Sequence, residues 1–173
     1  MDIYFTIEEK YLEAVEEYNY GEPAKALQLL NEIININPLY ARAHYYLGLI
    51  NYYLMKDYQT AGYHLQLCIE QDAAFPDAYI PYLSLLVLLN KAGLATTVSK
   101  NALNVPGVDQ AAVYNLLGLQ AERRDNWLLA KEMYRKALLT SNYKKQLTEM
   151  EENMDRVALK IKSTRAYVYD VAE

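Results

Sequence analysis

Small residues recur along the chain at a spacing of about one per 34 positions. Ala26, Ala61, Ala95 and Ala130 are separated by 35, 34 and 35 residues. A second column follows seven positions behind, at Ile33, Cys68, Ala102 and Ala137, and a third runs ahead, at Ala14, Gly48, Leu83 and Gly118. Each period has room for two helices and two turns. Antiparallel helices pack closely only where the crossing side chains are small, and large neighbours such as Leu47, Leu65, Leu117 and Tyr134 then fill the space around them. A single helical pair cannot bury its apolar face alone, so the pairs are expected to stack.

The helix breakers agree with this division. Asn37-Pro38, Phe75-Pro76-Asp77 and Pro106-Gly107 close the first three periods. Asp77 is a candidate N-cap for the next helix. Pro81 is tolerable only in a first helical turn, so that helix is expected to begin late or to bend. After the fourth period, Leu147, Met150, Met154, Val157, Ala158 and Ile161 keep helical spacing and predict an amphipathic helix over about 143–164. Such a helix would cap the stack. Residues 166–173 read as a tail. Its Tyr167, Tyr169 and Val171 alternate like an extended peptide that could occupy a groove, its own or a neighbour's.

These columns resemble the tetratricopeptide repeat (TPR), with its period near 34 and its W-x2-L-G-x2-Y…A-x3-F…P pattern. The fourth repeat carries the resemblance best, in Tyr114-Asn115-Leu116-Leu117-Gly118, Trp127-Leu128-Leu129-Ala130 and Tyr134-Arg135-Lys136-Ala137. The second reads His44-Tyr45-Tyr46-Leu47-Gly48 and Asp57-Tyr58-Gln59-Thr60-Ala61, with one residue inserted between the two parts. The first repeat departs at Lys10 and Glu13. The third departs at Leu83 in the glycine slot and Ser99 in the large apolar slot. The resemblance implies an all-α, right-handed α-solenoid of about four helix-turn-helix repeats plus a C-terminal capping helix. The repeats fall at approximately 7–40, 41–75, 76–110 and 111–142, within one domain over 1–165.

The same resemblance implies a protein–protein interaction module, an adaptor or chaperone, with the first helix of each repeat lining a concave groove. The exposed positions of those helices are Tyr11, Val15 and Tyr18, then Arg42, Tyr45, Leu49 and Tyr52. They continue with Asp77, Ile80, Ser84 and Val87, and end with Ala112, Asn115, Leu119 and Glu122. Of these, Tyr11, Val15, Tyr18, Arg42, Tyr45, Leu49, Tyr52, Ile80, Asn115 and Leu119 are the candidate partner-binding residues. Some members of the family hold acidic C-termini with a clamp of Lys, Asn and Arg. Tyr11, Val15 and Tyr46 stand at the matching positions, so a protein or peptide with apolar anchors fits better. A second reading stands beside this one, in which several of the tyrosines are buried within the stack.

Composition narrows the function further. Of 21 aromatic residues 18 are tyrosine, a side chain suited to half-buried surfaces and interfaces. The net charge of −5 argues against nucleic acid, which needs a basic face. No stretch suits a membrane span. The first ten residues lack a basic region and a long apolar run, so a cytoplasmic location is expected, although a chain trimmed of a signal peptide would read the same. Charge is uneven: residues 1–32 hold eight acids and two bases, whereas 123–165 hold 11 bases and six acids. Oppositely charged ends could serve self-association, and a structural assembly subunit using its ends or convex face is the alternative function.

No enzyme is expected. His64 and Cys68 share a helix face but provide two potential ligands where a closed zinc site needs four, and Cys68 occupies a small-residue crossing slot. His44 reads as a packed interior side chain. The acidic cluster Glu8, Glu9, Glu13, Glu16 and Glu17 reads as a helix exterior. The chain contains no phosphate-binding loop, no G-x-S-x-G and no H-E-x-x-H, so neither metal nor cofactor is expected.

Overall fold

A computed structural model describes residues 6–170, with side chains through 164. Every regular element among the described residues is helical. The chain forms two compact units, Met1–Leu85 and Leu86–Glu173.

The first unit opens with α1 (Ile7–Tyr20), started by a capping box in which the Thr6 hydroxyl accepts from the Glu9 amide and the Glu9 carboxylate accepts from the Thr6 amide. Pro23 begins α2 (Pro23–Ile36), at a position where its missing N–H costs nothing. α3 (Ala41–Leu49) runs directly into a π-helical segment, Ile50–Met55, which ends on Lys56 in the left-handed conformation. Asp57 caps α4 (Tyr58–Gln71). α1 packs on α2, and α3 on α4. Ala14, Ala26, Leu30, Ile33, Ala43, Leu47 and Ile50 form a core shared by α1, α2, α3 and the π-helical segment.

The π-helical segment has a cause in the sequence. Gly48 and Ala61 are 13 residues apart, whereas Gly118 and Ala130 are 12 apart, as are Ala14 and Ala26. The helix absorbs the extra residue by widening its turns to i→i+5 hydrogen bonding. The buried Asn51 side chain donates to the Leu47 carbonyl at 2.8 Å.

A 3-10 turn, Pro76–Ala78, precedes α5 (Tyr79–Leu88), within which the boundary between the units falls. The helix does begin late, and Pro81 lies in its first turn. Asp77, expected as its N-cap, lies within the 3-10 turn, because Pro76 has already started a turn there.

The second unit contains α6 (Ala92–Ala102), α7 (Gln110–Glu122), α8 (Trp127–Thr140) and α9 (Lys144–Asp170). Asp109 and Asn126 cap α7 and α8. α8 packs against both α7 and α9, around Ala121, Ala130, Tyr134, Ala137, Met150 and Val157. α9 continues past the predicted end at 164, so the expected tail is helical through Asp170. The side chains of Tyr167 and Tyr169, and all of Val171, lie outside the described residues. Among those residues, no helix is long and apolar enough to cross a membrane.

Candidate interaction surface

The candidate positions of the first unit converge on a face built by α1, α3 and the π-helical segment. Tyrosine rings join it into a chain. Tyr11 lies 5.6 Å from Tyr40 and 6.0 Å from Tyr46, ring centre to ring centre. Tyr18 meets Tyr46 edge-on at 5.2 Å. Tyr45 touches Tyr46 at 5.1 Å and Phe75 at 5.2 Å, again edge-on. Such pairs hold one another in place at a gain of about 0.5–1.5 kcal/mol each. Tyr11, Tyr18, Tyr45 and Tyr46 are all half-buried, so each ring is supported and still reaches the surface. Val15 is half-buried beside them and Arg42 is exposed. Ile80, half-buried, stands on the first turn of α5.

The hydroxyls of this face stay protonated. Burial pushes Tyr11 up to about 12. Burial also raises Tyr45 and Tyr46, and the nearby Asp77 carboxylate raises them further. Tyr40 rises to about 12 through burial and its bond to Glu8, to which its hydroxyl donates at 3.0 Å. The face therefore presents apolar rings with neutral O–H groups, a chemistry suited to apolar anchors and backbone carbonyls.

Two expected members behave differently. Leu49 is only 7% exposed, in an unbroken buried run over 47–51, so its side chain belongs to the interior and not to the face. Tyr52 leans toward α4, with its ring 5.9 Å from Tyr58 and 4.5 Å from Tyr53. Tyr53 takes its place: it is 48% exposed and lies close enough to Tyr18 and Tyr45 to help raise the pKa of both hydroxyls. The inserted residue before Ala61 was the signal for this change. Tyr40 and Phe75, also missed among the candidates, lie in the turns before α3 and α5 and fall outside the groove positions.

In the second unit, α9 engages the candidate positions. The Asn115 carboxamide donates to Glu149 at 3.0 Å and accepts from Asn153 at 3.1 Å. Leu119 packs against the cluster that includes Met150 and Val157. Glu122 accepts from Tyr134 Oη at 2.8 Å, from Arg156 at 2.7 and 2.9 Å, and from Lys160 at 2.9 Å. The Arg156 guanidinium, followed by Lys160 and Tyr134, holds the Glu122 carboxyl down at about 2 against the opposing effect of burial.

His44 and His64 form a buried pair across α3 and α4, with Nδ1 to Nδ1 at 2.9 Å and rings stacked. His44 Nε2 lies 2.8 Å from the Pro38 carbonyl, which can only accept. Neutral His44 therefore carries its proton on Nε2 and accepts at Nδ1, and His64 donates from Nδ1. Cys68 is fully buried, and burial pushes its thiol up to about 12. Among the described residues no three His, Cys, Asp or Glu side chains gather as a metal site.

The paired helices, with small residues at the crossings and half-period turns, define the tetratricopeptide-repeat fold. Solved structures agree over most of the chain. PilF of Pseudomonas aeruginosa superposes with a TM-score of 0.74 at 17% identity, covering 91% of this chain and 69% of that one. MamA from residue 41 onward, of Desulfovibrio magneticus, gives 0.69 at 18% identity, covering 95% and 96%. A protein of Thermus thermophilus, described as a thermophilic TPR protein, gives 0.63 at 17% identity, covering 90% and 83%. No family model matches the chain, and no curated protein sequence matches it.

Proposed function

We propose that the chain is a protein-interaction module, an adaptor or chaperone, that holds a peptide or protein partner with apolar anchors on the tyrosine face of α1, α3 and the π-helical segment. The fold is one that generally serves protein–protein interaction. The observation that carries the reading is the row of half-buried rings, Tyr11, Tyr18, Tyr45 and Tyr46, with the more exposed Tyr53 beside them. Rings fixed by their neighbours lose little conformational freedom on binding, and anchored tyrosines are favoured as binding hot spots. Val15, Arg42 and Ile80 belong to the proposed surface. Partner contact at Asn115 and Leu119 requires α9 to give way.

Affinity capture identifies the partner, and titration against Tyr45→Ala and Tyr53→Ala tests the surface. Each variant is expected to weaken binding at least tenfold while its melting curve stays cooperative. A partner that binds both as tightly as wild type would place the site elsewhere.

Assembly through oppositely charged ends is the less favoured reading. Part of the acidic end is neutralised internally, since Lys25 pairs with Glu13 at 2.8 Å and Glu17 at 2.7 Å, and Lys10 pairs with Glu32.

A further inference from the structure

The second unit contains a half-open cavity of about 530 Å³ between α6, α7 and α8. That volume lies within the range of small-ligand sites. Leu103, Leu117, Leu129 and Met133 give it apolar walls. Ser99 also lines it, a hydroxymethyl group where the other repeats carry Leu30, Leu65 and Tyr134. The Ser99 hydroxyl is already committed, donating to the Thr96 carbonyl at 2.9 Å.

A buried polar side chain in this cavity lacks a hydrogen-bond partner among the described residues. Gln120 is only 6% exposed, and its carboxamide makes no hydrogen bond to any described residue. No side-chain polar atom among those residues is both sealed from solvent and unbonded, so this carboxamide opens onto the cavity. The carboxamide keeps both its donors and its acceptor free at the cavity wall, so it can bond to an occupant.

The charge around the cavity has one sign. Lys100, Arg124 and Lys136 line it, and no acid among the described residues does. Lys136 pairs with Glu132 at 2.8 Å and lies 5.9 Å from the centre of the Tyr114 ring. Lys100 and Arg124 have no ion-pair partner among the described residues.

From these observations we infer that the cavity binds a carboxylate carried on an apolar body. The body lies against the leucines and Met133, the Gln120 amide donates to the carboxylate, and Lys100 and Arg124 balance its charge. A free aliphatic acid and a peptide C-terminus with an apolar last residue share this chemistry.

The test is NMR titration of the full chain, following the Gln120 side-chain amide and the Met133 methyl. The probes are decanoate, decanol, and an acetylated tetrapeptide ending in leucine, as free acid and as amide. Decanoate or the free-acid peptide is expected to shift both signals and to bind at least tenfold more tightly than its uncharged counterpart. Whichever acid binds more tightly identifies the source. In Lys100→Gln/Arg124→Gln, on exposed positions that leave the fold intact, the acid should lose that tenfold advantage while decanol binding is unchanged. Gln120→Leu should likewise weaken the acid and spare decanol. Equal binding of acid and uncharged probe, or no shift at Gln120 and Met133 with either acid, overturns the inference.

Discussion

Gly118 and Tyr134 share one space: a methyl group added at Gly118 would stand 2.5 Å from Cε1 and 2.6 Å from Cδ1 of the Tyr134 ring. The ring is fully buried and its hydroxyl is bonded to Glu122, so it cannot swing aside. Gly48 and Leu65 repeat the relationship, at 2.6 Å from Leu65 Cγ. Gly118→Ala should therefore destabilise the fold by about 1–3 kcal/mol despite the better helix propensity of alanine. Gly62→Ala is the control. An added methyl there meets only Leu85 Cδ2 at 3.6 Å, an ordinary contact, and should stabilise α4 by about 0.5–1 kcal/mol. Urea unfolding of the two variants should shift in opposite directions.

Acid should loosen α9 through Glu122. Its folded-state pKa, about 2, lies below that of an unfolded glutamate, so the stabilisation is complete above about pH 4.5 and is lost as pH falls toward 2. Arg156 and Lys160 keep 44% and 42% of their side chains exposed, so solvent screens part of the attraction. Glu122→Gln should then cost about 2 kcal/mol at pH 7, the scale of losing charged hydrogen bonds at a buried carboxylate. It should also flatten the acid limb of the stability curve. Trp127 reports the change, because Lys160 sits 4.5 Å from the centre of its ring.

A second pH dependence, at milder acidity, belongs to His64. Burial, and then the close approach of the His44 ring, lowers His64 to about 4. The unfolded chain takes up a proton near pH 6.5 while the folded chain resists it, so stability is lost as pH falls from about 6.5 toward 4. The loss is at most about 3 kcal/mol. Denaturation midpoints at about pH 7.5, 6.5 and 5.5 should fall in that order for the wild type. They should stay nearly level over that range for His64→Asn, whose carboxylates still titrate only at lower pH.

The fold was legible in the sequence because close helix crossings demand small residues, and Ala26, Ala61, Ala95, Ala130, Gly48 and Gly118 reveal them at fixed spacing. The tyrosine face was legible in part. Tyr11, Tyr18 and Tyr45, positions that the family resemblance implies, lie on the proposed face where the helices stay regular. Tyr52 does not, because phase beyond Gly48 depends on how the chain absorbs an inserted residue. The engagement of Asn115, Leu119 and Glu122 by α9 was equally hidden. It rests on pairings across 34 to 38 residues, such as Asn115 with Glu149 and Glu122 with Lys160, which no local pattern records. The His44–His64 bond joins two helices at facing positions, and sequence suggested only that His44 is interior.

The π-helical segment makes the final prediction. If Tyr53 reaches the binding face because one residue is inserted before Ala61, partner affinity should depend on Tyr53 more than on Tyr52, the reverse of what regular helical phase implies. Tyr53→Ala should weaken binding at least tenfold, and Tyr52→Ala should weaken it less. Deleting Leu54, which is half exposed, restores the 12-residue spacing between Gly48 and Ala61 that separates Gly118 from Ala130. The segment should then close to an ordinary α-helix, with i→i+4 bonds in place of wider ones, and the stability of the chain should hold or rise. Tyr53 would rotate with that change, away from Tyr18 and Tyr45. Affinity should fall in the deletion variant even though no tyrosine has been removed. Calorimetric titration of the captured partner measures affinity, and thermal unfolding of the same samples measures stability. Retained affinity in a well-folded deletion variant would show that the widened turns do not set the binding surface.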